Sequence, residues 1–358
     1  MTRTLLLVQL TRCEQVFADP GGWLCYYSSM DTFGLNHAQL LPIGAAVYGF
    51  PIRSCRIEGS VPVNRGGCGD KALVDLVITT LEGQENSLPV FLKKFAWKGK
   101  SEAVHYRQLA QCAVPTPHLY GVIAHPDGEE VLVLERLNQI GFNSHSEAEW
   151  RQLLTLLAHL NACAVTRDYL PHLHPFEQGG RIDCWWITGF NPFPPRLEAI
   201  EANLRACDIA ESELSQLSFA AQRLCERIAA LPTGLVHQDF LSDNLGWRGD
   251  RAEMVVFDVH KNALAPRFAD VAPYLGWPDW SNTATFLHQS PSLREVLIRH
   301  YLHEYAHFGG GSVSLETFYE ETTLLFWAHK VAILYWMVEQ QETERIGQVL
   351  NYLRTYTP

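Results

Sequence analysis

The spacing of apolar positions changes near residue 145. From about 43 to 137 the apolar residues come in short runs rich in aliphatic and β-branched side chains. Cys55–Ile57, Lys71–Thr80, Pro89–Phe95 and Glu130–Leu134 are predicted strands. A glycine-rich turn, PVNRGGCGDK, separates the first two and contains Gly66, Gly67 and Gly69. One helix interrupts the strands. SEAVHYRQLAQC at 101–112 has Ser101 at its N-cap and Ala103, Tyr106, Leu109 and Ala110 on one face. Val114-Pro115-Thr116-Pro117 ends it, because the residue before a proline is pushed out of helical geometry.

Past residue 145 the period is helical. Over 147–165, Trp150, Leu153, Leu154, Leu157 and Leu160 share one face. Further helices are predicted near 195–207, over 211–230 and across 292–355. Two short strand patterns, Gly234–Val236 and Met254–Phe257, interrupt them and flank a polar loop. Residues 1–40 and 168–196 show no clear period. A β-rich front followed by a helical back predicts an α+β fold with domains at 1–137 and 138–358.

Composition narrows the partners. The net charge of −11 argues against nucleic acid, whose phosphates call for a basic stripe. The apolar run in MTRTLLLVQLTRCEQ is ended by Arg12, and no stretch reaches membrane-spanning length. Nine cysteines without a CxxC pair suit reduced thiols. These features predict a soluble cytoplasmic protein with no membrane partner.

The polar loop carries the chemistry. Leu235–Asn244 reads LVHQDFLSDN, and Met254-Val255-Val256-Phe257-Asp258 follows. Phosphoryl transfer asks a protein mainly for positioning and charge neutralisation. Asp239 can accept the proton of an attacking hydroxyl. The Asn244 amide oxygen and the Asp258 carboxylate, at the end of an apolar strand, are the hard donors that Mg²⁺ prefers. A lone His-x-Asp is usually structural; the added Asn and strand-terminal Asp make the set specific. His260 invites a zinc reading, but the His and Asp residues follow no zinc-ligand spacing.

The region resembles the aminoglycoside phosphotransferase and choline kinase family, whose fold is that of the protein kinases. The resemblance rests on LVHQDFLSDN, VVFD and Asp270-Val271-Ala272. Leu157–Ala162 is similar to the family's LAxLHA helix, with Asn161 in place of the usual His, and Val114–Pro117 to its VPxP turn. It implies a two-lobed protein-kinase-like fold, ATP or GTP as co-substrate, and Mg²⁺. It also implies site roles. PVFLKKF resembles the kinase strand VAIK, which assigns Lys93 to the nucleotide phosphates, or Lys94 if the register slips by one. Glu102 would hold that lysine. The backbone of Glu135–Leu137 would read the base, and the Gly66, Gly67, Gly69 turn would cover the phosphates. His237 and Asp270 would support the catalytic loop.

The acceptor is constrained less. Protein kinases place a Lys two residues after the catalytic Asp, where this chain has Leu241, and no A-P-E follows Asp258. A small-molecule acceptor is therefore expected: an antibiotic, a sugar or an amino alcohol. Trp277, Asp279, Trp280, Glu320, Glu321 and Trp327 are candidate contacts, since carboxylates beside aromatics suit cationic amines and sugar faces. Asp183, Trp185 and Trp186 could wall the same pocket. The alternatives are a catalytically silent nucleotide- or ligand-binding protein and, from the His and Asp residues alone, a metal-dependent hydrolase.

Overall fold

Strand pairing organises the front half of the chain. The computed structural model describes residues 32–63, 70–95, 101–125, 127–173, 201–202, 204–207, 209–276, 291–332 and 334–356. Strands β1 (Ile52–Pro62), β2 (Lys71–Thr80), β3 (Glu85–Phe95), β4 (Leu119–Ala124) and β5 (Glu130–Glu135) form one antiparallel sheet in the order β1-β2-β3-β5-β4. Side chains two apart share a strand face. Ala72, Val74, Leu76 and Ile78 of β2 thus join Val90, Leu92, Val131 and Val133 in one apolar cluster. The other face of β2 and β3 carries Lys71 and Lys93, direct partners in the register. Both are buried, at 9% and 2% exposure.

Helix α1 (His37–Tyr48) adds Leu40 and Ile43 to the apolar cluster. Sequence periodicity puts strands from about 43 onward, so this helix is a correction. Pro42 and Gly44 lie inside it, and both weigh against a helix in isolation. Tertiary packing overrides them. A Cβ at Gly44 would come 2.6 Å from Ile52 Cδ1, so the glycine lets the helix approach β1. Asn36 and Gln39 form a capping box, and Gly49 at φ 72° closes the other end.

The back half is mainly helical: α3 (Glu147–Ala162), α4 (Glu211–Ala229), α5 (Pro291–His307), α6 (Leu315–Ala332), α7 (Leu334–Glu339) and α8 (Thr343–Thr355). Helix α3 packs along α5, and α4 packs against α6 and α8. Small sheets sit among them. β6 (Gln139–Ile140), β8 (Leu245–Arg248) and β9 (Glu253–Val256) pair in the order β6-β8-β9, and β7 (Thr233–Val236) pairs with β10 (Ala263–Pro266).

The chain divides into two compact units. The first holds the described residues up to Phe95 together with those of 118–136; the second holds 101–117 and the described residues from Leu137 on. Helix α2 (Glu102–Gln111) therefore belongs to the second unit, although it follows β3 in sequence. Specific bonds explain this. His105 Nδ1 lies 2.6 Å from the Tyr169 hydroxyl, and Gln108 donates to the Ala164 carbonyl at 3.1 Å. Cys112, after α2, is disulfide-bonded to Cys163, after α3, with Cα atoms 5.9 Å apart. The expectation of reduced thiols is corrected for this pair, which the fold brings within bonding distance across 51 residues. Among the described residues no helix is long and apolar enough to cross a membrane.

Candidate active site

The polar loop hangs between β7 and β8 and is tied down from below. Asp270 is buried at 1% exposure, and its carboxylate accepts the His237 backbone N–H at 2.7 Å and the Gln238 N–H at 3.1 Å. Burial raises the Asp270 pKa to about 6, with those hydrogen bonds opposing it. Asn161 of α3 donates to the Leu235 carbonyl at 2.9 Å and lies 3.4 Å from Asp270, while Tyr301 of α5 donates to Asn161 at 2.9 Å. The residue that departs from the family's histidine thus belongs to the support beneath the loop.

His237 links the loop to the second half of the site. Its Nε2 lies 2.9 Å from the Phe257 carbonyl and its Nδ1 lies 3.3 Å from the Asp239 backbone N–H. A carbonyl only accepts and a backbone N–H only donates, so the ring carries its proton on Nε2 and is neutral. Burial lowers its pKa to about 4, in the same direction. Gln238, at φ 66°, makes the sharp turn that follows.

Asp239 and Asn244 share this loop. The Asn244 Nδ2 donates to the Asp239 carbonyl at 2.8 Å, which leaves the amide oxygen as the group available for a cation. Pairing of Leu245 with Val256 then brings Asn244 beside Phe257, whose N–H donates to the Asn244 carbonyl at 3.0 Å. Asp258 comes next. It sits in the left-handed region at φ 61° and opens a 3₁₀ turn, Val259–Lys261.

That turn supplies a partner to each carboxylate. His260 Nδ1 is 2.8 Å from Asp258 Oδ1, and Lys261 Nζ is 3.0 Å from Asp239 Oδ2. The Asp258 N–H also donates to the Tyr106 hydroxyl of α2 at 3.3 Å. Ligand atoms of Glu102, Asp258 and His260 all lie within 4.8 Å of one another, a grouping of metal-ligand type. Nothing in the local sequence marks Lys261, because its position depends on how β10 returns along β7.

In the first unit, Lys93 and Lys94 separate cleanly. Lys94 pairs with Asp127 at 2.5 Å and Glu129 at 3.1 Å, and the Asp127 bond raises its pKa. Lys93 shares the opposite face with Lys71, another cation that sequence reading passed over. The strand-opening Asp70-Lys71 after the glycine-rich turn was its signal. The Glu135 N–H donates to the His118 carbonyl at 2.8 Å. In the second unit, Leu137 packs so closely on Gly246 that a Cβ there would meet it at 2.4 Å.

The predicted acceptor residues divide. Glu321 is committed to a buried fork with Arg267, at 2.5 Å and 3.1 Å, and this pairing accounts for its burial. Glu320 is exposed on the same helix, and Trp327 stacks on Tyr352 at 4.1 Å between ring centroids. Gly66, Gly67, Gly69, Asp183, Trp185, Trp186, Trp277, Asp279 and Trp280 lie outside the described residues.

A model of the phosphotransferase enzyme family matches residues 99–311, more than half of the chain. The chain belongs to this family. The phosphotransferase also resembles solved structures at low identity. A Ralstonia eutropha protein described as a candidate aminoglycoside phosphotransferase is 12% identical, with a TM-score of 0.50 over 88% of this chain and 98% of that one. Spectinomycin phosphotransferase, solved with ADP and spectinomycin, is 14% identical, with a TM-score of 0.45 over 90% of this chain and 95% of that one. Ethanolamine kinase of Plasmodium vivax is 11% identical, with a TM-score of 0.47 over 84% of this chain and 80% of that one. No curated protein matches the chain. The fold of this phosphotransferase is α+β and protein-kinase-like, with an antiparallel sheet in the front half and helices in the back.

Proposed function

We propose that this phosphotransferase moves the γ-phosphoryl group of ATP or GTP to a hydroxyl of a small molecule, an antibiotic, a sugar or an amino alcohol, with Asp239 as the base. The acceptor oxygen bonds to the γ-phosphorus as the bond from phosphorus to the β,γ-bridging oxygen breaks. The nucleoside diphosphate leaves with that bond's electrons, and the hydroxyl proton passes to Asp239. The observation that carries the reading is the fixed Asp239 loop. His237, Asp270 and Asn244 hold its backbone, so its carboxylate is presented without a change of fold.

Asn244 and Asp258 fit Mg²⁺. The Asn244 amide nitrogen is already committed, which leaves its hard oxygen as the donor to an ion, and Asp258 adds a carboxylate. When bound, the ion neutralises nucleotide phosphate charge. The family pattern assigns Lys93 and Glu102 to the phosphates, Glu135 to Leu137 to the base, and the Gly66, Gly67, Gly69 turn to the phosphate cover; these roles are part of the proposal. Asp279, Trp280 and Glu320 remain its acceptor contacts.

The test is phosphate transfer from Mg·ATP and Mg·GTP across a panel of amine- and sugar-bearing alcohols, with products read by mass. A gain of one phosphoryl mass on at least one acceptor is expected. Tight nucleotide binding with no transfer to any acceptor would favour the silent binding protein.

A further inference from the structure

The turn after Asp258 folds back onto the catalytic loop. Val259–Lys261 make one 3₁₀ turn, and β10 then runs antiparallel to β7 with Ala263 opposite Val236. In such a pair, stepping back from Ala263 steps forward past Val236. Lys261 therefore arrives beside residues 238 and 239, and its Nζ comes 3.0 Å from Asp239 Oδ2. This bears on an absence in the sequence. Protein kinases carry a lysine two residues beyond the catalytic Asp, where this chain has the exposed Leu241.

We propose that Lys261 is the missing cation, delivered from another strand, and that it contacts the phosphoryl group in transfer. The proposal rests on the assignment of Asp239 as base. An acceptor oxygen must lie within about 3 Å of the Asp239 carboxylate to give up its proton. The phosphorus then lies roughly 3–3.5 Å from that oxygen. An ammonium already bonded to Asp239, on a flexible four-carbon stem, is within reach of the phosphoryl oxygens. It has three donors, so it can hold Asp239 and a phosphoryl oxygen together. As the new O–P bond forms and the bond to the bridging oxygen breaks, charge spreads over the equatorial oxygens. A positioned cation acts on that charge, while the proton goes to Asp239 and Lys261 stays protonated.

Exposure separates this pair from a structural one. The buried fork of Arg267 and Glu321 leaves side chains only 13% and 7% exposed. Lys261 is 33% exposed and Asp239 is 16% exposed, so solvent and ligand reach the pair. An ion pair of this kind adds little to stability, which leaves a role in the reaction as the stronger account.

The test compares wild type with Lys261→Met, Lys261→Arg and Asp239→Asn. Calorimetry measures affinity for Mg·ADP alone and for Mg·ADP with aluminium fluoride, a mimic of the phosphoryl group in transfer. Wild type should bind Mg·ADP more tightly when the fluoride is present. Lys261→Met should bind Mg·ADP as wild type does but lose about 10²-fold of the fluoride-dependent tightening. Lys261→Arg, which keeps the charge and guards against a folding artefact, should recover part of it. Full tightening in Lys261→Met, or none in wild type, would overturn the proposal. Failure of the underlying reading looks different: wild type would bind no Mg·nucleotide, or Asp239→Asn would transfer phosphate as fast as wild type.

Discussion

The sheet of the first unit and the Leu235–Asn244 loop of the second have opposite kinds of interior. The sheet buries aliphatic side chains, with Val74, Leu76, Ile78, Val90 and Leu92 at 0–1% exposure. Its stability is spread over many small contacts. The loop buries polar groups, with His237, Asp270 and Asn161 at 0–2% exposure. There these three side chains each meet particular partners, and losing one leaves another group unsatisfied in a low-dielectric site. Damage to the aliphatic interior of the sheet should therefore cost stability alone, and damage to the loop should cost stability and chemistry together.

Asp270→Ala should break the comparison hardest. Two backbone donors lose their acceptor, which costs about 2–6 kcal/mol at 1–3 per orphaned group. The raised pKa of Asp270 marks a desolvation cost that partly offsets the loss. Turnover should also fall at least about tenfold, because misplacing a catalytic group by a fraction of an ångström is expensive. Denaturant unfolding and steady-state kinetics on the same sample check both effects.

Leu76→Ala probes the other side. The residue is fully buried in the sheet cluster, so about 2–5 kcal/mol should be lost. Turnover per folded molecule should stay at the wild-type value. A fall in turnover with the fold intact would show that the two interiors are not separate in their effects.

A smaller effect sharpens the comparison through pH. Burial, with Lys330 adding to it, lowers the pKa of His329 in α6 to about 3. A histidine whose folded pKa is depressed contributes stability that is fully present above its ordinary value of 6.5. That stability is lost as pH falls through 6.5 toward 3. His329→Gln should therefore flatten the acid side of the stability profile, by at most about 1.4 kcal/mol per pH unit. Unfolding midpoints between pH 7.5 and 4 measure it. Catalysis at pH 7.5 should not change.

What was legible in the sequence follows the same division. The Leu235–Asn244 loop stands out in the sequence because His237, Asp239 and Asn244 lie within eight residues and their spacing survives any packing. The strands of the sheet could be read because alternation is local. Helix α1 could not, since Pro42 and Gly44 look like breakers and only the folded chain brings Gly44 against Ile52 of β1. The pairing of Glu321 with Arg267 could not be read either, since nothing local announces a partner 54 residues away. The disulfide of Cys112 and Cys163 was hidden for the same reason, as was the position of Lys261, which depends on the pairing of β7 and β10.

The central claim is that Asp239 takes the proton of the attacking hydroxyl. Its most direct test is Asp239→Ala, with turnover and Mg·ATP affinity measured side by side on the acceptor that wild type phosphorylates. The account predicts turnover lower by about 10³-fold with nucleotide affinity within a few-fold of wild type. Turnover at the wild-type rate would contradict it.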